Sequence, residues 1–308
     1  MRIFITGASG WIGSAVVADL IAHGHQPVGL ARSGSSATKL TSLGAEVHEG
    51  SLDDLDSLSS AARGCDGVIH LAFKHDIAFS GDFLGAATVD RRAIETLADA
   101  LEGSNKPLVI ASGTLGYALA RPVTEHDGHD APSLDETTLN GPTLRGATAE
   151  FTLSLASRAI RSSVVRLPPT NHGRGDNGFM ATLVAIARDK GVAGYVGDGS
   201  NRWPAVHRLD SARLFRLAVE SAPPASTLHA VGEEGVKIGE VSEVIARHLN
   251  VPTASIAPED IASHFTWMAP FIGADSPASS DFTRELMKWE PTQVGLLADL
   301  DQGHYFEV

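Results

Sequence analysis

Up to Leu167 two spacings of apolar residues alternate along the chain. Short β-branched runs carry apolar side chains almost without a polar break: RIFIT near the start, Gln26 to Leu30, AEVHE, GVIHLAF, PLVIAS and SSVVRL. Between them lie Ala- and Leu-rich stretches, SAVVADLIAHG, DLDSLSSAARG, VDRRAIETLADALEGS and AEFTLSLASRAI, whose apolar positions recur three and four apart. Unbroken apolar runs suit strands buried on both faces, and the longer spacing suits helices that cover them. The alternation predicts an α/β fold with a doubly wound parallel sheet. Gly24 and Gly64 close two of the helices where a C-terminal glycine is favoured.

After Leu167 the pattern changes. LPPTNHGRGDNG has the composition of a loop, FMATLVAIARDKG of a helix, TLHAVGEE of a strand and IGEVSEVIARHLN of a helix. These predict a core over residues 1–170 and a smaller lobe over 171–308, with parts of 200–232 returning to the core. Asp275 to Asp281, DSPASSD, has no periodicity and is expected to be a polar turn; FTRELMKW after it is expected to be a short helix. Phe265, Trp267, Phe271 and Phe282 are expected in the lobe core. No internal repeat or low-complexity tract interrupts the chain.

Composition narrows the partners. Across 308 residues, 24 Lys and Arg stand against 37 Asp and Glu, a formal charge of −13. Nucleic acids and anionic membranes need clustered positive charge, so neither is an expected partner. Cys65 is the only cysteine, and no intramolecular disulfide can form. The first seven residues read as a strand running into a glycine turn, so no secretory leader is expected. No apolar run approaches the roughly 20 residues of a spanning helix. The expectation is a cytoplasmic protein, monomeric or homodimeric, acting on a small molecule.

Candidate chemistry begins at TGASGWIG. Gly7, Gly10 and Gly13 recur every three residues between the first strand and the first helix. There a backbone can approach a pyrophosphate without a Cβ in the way, and the helix N-terminus offers N–H groups to it. Ser9, Trp11 and Ile12 share this turn and are expected beside the phosphates. At the end of the second strand, where an Asp or Glu commonly holds the ribose of NAD, the chain has Ala31 followed by Arg32 and Ser33. A guanidinium there suits a 2′-phosphate, so NADP is the expected cofactor, with NADPH preferred over NADH.

These motifs, with GSLDD at 50 to 54, GVIHLAF, PLVIASG, SVVRLPP, the GDG at 197 to 199 followed by WPAVHRLDSARL, and TRELMKWEP, resemble in order the extended short-chain dehydrogenase/reductases. That group includes epimerases, dehydratases and ketone reductases. The resemblance implies a Rossmann core, a nicotinamide cofactor, and a substrate cleft between core and lobe. It further implies that Ser51 and Leu52 lie near the adenine, that Leu71, Ala72 and Phe73 run along the cofactor ribose, and that Leu167 and Pro168 face the nicotinamide.

One departure is central. The group usually carries a Tyr-x-x-x-Lys pair on the helix before the sixth strand, the lysine lowering the tyrosine pKa for proton transfer. Here that region, GPTLRGATAEFTLSLASRAI, has neither residue; aligned through Glu150, the two positions fall at Pro142 and Gly146. The usual serine falls at Gly113, flanked by Ser112 and Thr114. Strand ends point at the nicotinamide in such a fold, so Lys74, His75, Asp76, Ser112, Thr114 and Tyr117 are candidates for proton transfer by position, Tyr117 being the best acid by type. Ser112 is also a candidate cofactor contact. Asn171, His172, Trp203 and His207, with Arg208, are candidates on the substrate side. Arg145 is a candidate to bind a substrate anion or to fill the missing lysine's space, with a surface role the favoured reading. The TEHDGHD stretch, Thr124 to Asp130, lacks a ligand geometry, so no metal site is expected, and His23 and His25 read as a helix end. Three functions remain open: NADPH-dependent reduction of a small carbonyl compound, an epimerase or dehydratase cycle, and cofactor binding without turnover.

Overall fold

The computed structural model describes residues 1–115, 119, 121–129 and 140–307. The alternating half of the chain runs β1 (Arg2–Thr6), α1 (Trp11–Ala22), β2 (Gln26–Ala31), α2 (Gly34–Ser42), β3 (Glu46–Glu49), α3 (Leu55–Arg63), β4 (Gly67–His70), α4 (His75–Phe79), α5 (Phe83–Leu101), β5 (Pro107–Gly113), α6 (Gly141–Ser154) and β6 (Arg161–Leu167). Beyond it come β7 (Thr170–His172), α7 (Phe179–Lys190), β8 (Ala193–Val196), β9 (Arg202–His207), α8 (Arg208–Ser221), β10 (Ser226–His229), β11 (Glu233–Lys237), α9 (Ile238–Leu249) and β12 (Thr253–Ile256).

Seven strands pair in the order β10-β6-β5-β4-β1-β2-β3, all parallel. This is the doubly wound, Rossmann-like sheet that the alternation predicts. Side chains alternate across it. Ile3 and Ile5 of β1 pack with Val16 and Leu20 of α1 and Phe215 of α8, whereas Phe4 packs with Leu58 of α3, Leu97 of α5 and Leu153 of α6. Each such side chain contributes roughly 1.5–3 kcal/mol by leaving water. That burial fixes the sheet, and with it the loops at its C-terminal edge. The strand order reverses between β1 and β4, and in sheets of this kind ligands bind beyond the C-terminal ends of the strands at that point. The rest of the chain forms a three-stranded sheet, β11-β9-β7, and a β12-β8 pair.

Several segments correct the reading of the sequence. GVIHLAF leaves the sheet after His70, so Leu71 to Phe73 are loop residues beyond the C-terminal end of β4. Within the predicted loop after Leu167, Thr170–His172 forms β7, parallel to β9, a strand too short to show a period. TLHAVGEE is divided: β10 joins the core sheet, and β11 pairs antiparallel with β9. DSPASSD is no solvated turn. Ser276, Ala278, Ser279 and Ser280 are buried, and the Ser279 N–H donates to the Val123 carbonyl at 2.8 Å. Small side chains let that segment pack tightly. Among the four aromatics assigned to the lobe core, Phe265 is buried, while Trp267 and Phe282 each keep 36% exposure.

Candidate functional site

The glycine turn is shaped by two demands. Gly7 has φ +70°, and a Cβ there would come 2.8 Å from the backbone N of Ala72, just after β4. A Cβ on Gly13 would lie 2.1 Å from the Gly7 carbonyl oxygen, so α1 can sit against the turn only without one. Gly10 differs. A Cβ there would meet one atom within 4 Å, the Gly7 oxygen at 3.0 Å, and otherwise open space. Gly10 also caps α1 in an extended conformation, with no side-chain cap and no acid in the first turn. By contrast Ser33 caps α2 and Asp54 caps α3. An uncapped N-terminus approached over glycine fits the pyrophosphate of a dinucleotide. Ile12 packs half-buried on the core, and Ser9 stands in the turn between Gly7 and Gly10.

On the far side of β1, β2 ends at the buried Ala31, and no carboxylate stands there. The next two residues are polar. Arg32 has a side chain 71% exposed, with Asp76 3.9 Å away and similarly exposed. Such a pair is worth little, and its guanidinium can exchange the carboxylate for a phosphate. The Ser33 hydroxyl accepts from the Ser36 N–H and lies 3.0 Å from the Ser35 hydroxyl and 3.1 Å from that of Ser36. Ser35 and Ser36 escaped the sequence reading, although the run SGSS advertises hydroxyls at a helix start. The Ser51 hydroxyl accepts from the Asp53 N–H, Leu52 is buried, and the Lys74 ammonium donates to both Asp53 carboxylate oxygens at 2.7 Å.

At the ends of β4 and β5 a buried hydrogen-bond chain runs toward α6. The Ala72 N–H donates to the Thr6 hydroxyl at 3.2 Å, and that hydroxyl lies 2.9 Å from His70 Nδ1. A carboxylate oxygen accepts, so His70 Nε2 donates to Asp90 Oδ1 at 3.1 Å. Arg145 completes the chain, donating to Asp90 Oδ2 at 3.0 Å and to the Ala111 carbonyl at 3.3 Å, with its guanidinium 4.5 Å from the centre of the Phe73 ring. Arg145 is therefore no surface residue. Its side chain is 22% exposed and balances a buried carboxylate. His75 lies edge-on to Phe73 at 5.2 Å. Packing around its ring, and next the charge of Arg145, lower its pKa, although the residue keeps an exposed edge.

The positions of the missing relay are open. A Cβ on Gly146 would meet nothing within 4 Å, and one on Gly113 only the Leu167 oxygen and the Leu115 nitrogen at 3.9 and 4.0 Å. Ser112 lies opposite Arg166 on β6. The Thr114 N–H donates to the Leu167 carbonyl at 3.0 Å, and its buried hydroxyl has no partner among the described residues. Pro168 follows β6 and is buried. Tyr117 lies outside the described residues.

A polar cluster gathers around β7 and β9. The Asn171 side-chain oxygen accepts from Ser211 at 2.9 Å. His172 Nδ1 donates to Asp299 at 3.0 Å, and Asp299 also accepts from His304 at 3.0 Å. Burial opposes the Asp299 charge, but these two hydrogen bonds outweigh it and hold its pKa below the usual carboxylate range. His172 Nε2 is buried without a partner among the described residues. His172 lines a cavity of about 200 Å³ with His207, Asp210, Glu233, Arg284 and Gln293. Trp203 has no exposed surface, and its indole N–H donates to the Ala274 carbonyl at 3.2 Å. Asp299 and His304 were missed because nothing near them in sequence marks them as partners of β7. In TEHDGHD, Asp127 is held by Arg121 and His129 by Glu150.

The comparisons with known proteins agree with this geometry. The profile of the NAD dependent epimerase/dehydratase family matches residues 3–229. "Uncharacterized protein YLL056C" of Saccharomyces cerevisiae (strain ATCC 204508 / S288c) is 43% identical over 302 residues, covering 97% of this chain and 98% of that protein. The decarboxylating sterol-4-alpha-carboxylate 3-dehydrogenase of Dictyostelium discoideum is 26% identical over 285 residues, covering 88% and 84%. Among solved structures, the UDP-glucose 4-epimerase of Thermotoga maritima, determined with UDP-glucose, superposes with a TM-score of 0.74 over 99% of this chain and 98% of that one. At 18% identity this is a likeness of fold. Sheet order, glycine turn and profile together place the chain in the NAD dependent epimerase/dehydratase family.

Proposed function

We propose that this chain is an NADPH-dependent oxidoreductase that reduces a small carbonyl compound without the usual Tyr-Lys relay. The observation that carries this reading is the pair of anion sites flanking β1: the uncapped start of α1, and Arg32 with the hydroxyls of Ser33, Ser35 and Ser36 at the start of α2. A bound nicotinamide supplies the hydride. The chain's own residues bind and orient. Gly10 leaves room for the pyrophosphate, Arg32 takes the 2′-phosphate, and Leu71 to Phe73 with Leu167 and Pro168 line the crevice toward the reacting end.

For the proton, Lys74 is engaged by Asp53, and burial of the ring and then the charge of Arg145 lower the His75 pKa, which disfavours its acid form. That leaves Tyr117 and the hydroxyls of Ser112 and Thr114. An epimerase cycle needs a base as well as an acid at the α6 face, and Pro142 and Gly146 provide neither. Asn171, His172 and His207 would meet the substrate from the lobe side. The relative in Dictyostelium discoideum named as a dehydrogenase supports the reaction class.

The test is NADPH consumption with a panel of small ketones and aldehydes, with affinities for NADPH and NADH measured alongside. Turnover and tighter NADPH binding are expected, and Arg32→Ala should cut the NADPH-over-NADH preference about 10- to 100-fold, the worth of a charge-assisted contact. Binding without consumption would point to a sensor. An unchanged preference in Arg32→Ala would remove the cofactor assignment.

A further inference from the structure

Arg208 opens α8, and its guanidinium carbon lies 4.2 Å from the centre of the Trp11 ring. Trp11 is the first residue of α1, immediately after Gly10, so the stacked pair stands beside the uncapped N–H groups of the glycine turn. Other half-withdrawn arginines are matched. Arg145 has Asp90, Arg216 has Asp19 and Glu220, and Arg161 donates to the carbonyls of Ala218, Val219 and Ala222. Arg208 is not matched. Among the described residues it has no carboxylate within 4.0 Å and no hydrogen-bond acceptor, only the indole face. Burial lowers its pKa, and no acid counters that.

In a chain of net charge −13 an arginine partly removed from water without an acid beside it is an unbalanced cation. The lobe closes over its stem. A Cβ on Gly173, where φ is +140°, would lie 3.5 Å from Arg208 Cγ and 2.9 Å from His207 Nε2, and one on Gly175 would lie 3.5 Å from the Trp11 ring. Glycine at both positions lets the backbone of the lobe approach the pair closely.

We propose that Arg208, stacked on Trp11, is a cofactor-binding residue that contacts the dinucleotide's pyrophosphate from α8, completing a site whose other wall is the N-terminus of α1. The inference rests on the reading of the crevice as a dinucleotide site. A guanidinium suits the task because its edge can donate two parallel hydrogen bonds to phosphate oxygens while its face stays on the indole. Its role is distinct from that of Arg32. The pyrophosphate is common to NADPH and NADH, whereas the 2′-phosphate belongs to NADPH alone.

The experiment is equilibrium titration of wild type, Arg208→Ala and Arg208→Lys with NADPH, NADH and adenosine 2′-monophosphate, with thermal melts to confirm folding. Arg208→Ala should weaken NADPH and NADH by the same factor, about 10- to 100-fold. Affinity for adenosine 2′-monophosphate, which lacks a pyrophosphate, should not change, and Arg208→Lys should fall between. Unchanged dinucleotide affinity, an equal loss for adenosine 2′-monophosphate, or a loss confined to the KM of the carbonyl substrate would each overturn the proposal. If wild type binds no dinucleotide, the reading of the crevice fails and the inference with it; if wild type binds and Arg208→Ala binds equally, the inference alone fails. Should Arg208→Ala not fold, Arg208→Met keeps the stem and gives the same comparison.

Discussion

Asp90 lies on the core face of α5, spaced with Ala86, Ala93, Ile94 and Leu97, all of them buried. A lone carboxylate there would cost several kcal/mol, and His70 and Arg145 satisfy one oxygen each. Removing Arg145 strands the charge. Arg145→Ala is expected to destabilise the fold by about 2–3 kcal/mol, somewhat under the fully buried range because the guanidinium keeps some contact with water. Adding Asp90→Asn to that variant should recover most of the loss, and urea midpoints of the single and double variants check it. Simple additivity would show that the two residues do not act as a pair. An acid among apolar positions at helical spacing is visible in the sequence. Its partner, 55 positions away, is not.

The start of α1 separates two uses of glycine on one element. Gly13 is required by packing, since its Cβ would collide with the carbonyl of Gly7, which is backbone and cannot swing aside. Gly13→Ala should therefore lower stability by about 1–3 kcal/mol, the cost of overpacking, visible as a lower melting temperature. Gly10 faces mostly open space. Gly10→Val should melt close to wild type yet fail to bind NADPH in titration, because its side chain would occupy the pyrophosphate's place. Comparable melting losses in the two variants would contradict this division. The spacing of the three glycines is local in sequence and predicts the turn; which of them answers to packing and which to ligand depends on the distance between turn and helix.

At the scale of the whole molecule, His229 ties the core sheet to the segment after Asp275. It is buried, its Nδ1 donates to the Ser279 carbonyl at 2.8 Å, and its backbone N–H donates to the Thr283 hydroxyl at 2.7 Å. Burial, and secondarily the neighbouring Arg166, push its pKa down to about 4. The unfolded chain takes up this proton near pH 6.5, but the folded chain resists until about pH 4. The contribution is thus intact above pH 6.5 and is lost as pH falls toward 4, on the order of 3 kcal/mol in all. Replacing His229 with Gln should flatten the fall in urea midpoint between pH 7 and 4.5; parallel curves would exclude His229 as its source. Among the described residues no helix is long and apolar enough to cross a membrane. The sequence by itself determined the strand–helix alternation, the doubly wound sheet, the glycine turn and the place of Arg32 after β2, because each is written in neighbouring residues. Only the tertiary structure decided that Arg145 balances Asp90, that His172 is oriented by Asp299, and that Arg208 stacks on Trp11. Those partners sit on helices and strands far apart in the chain, and local periodicity carries no information about which elements become neighbours.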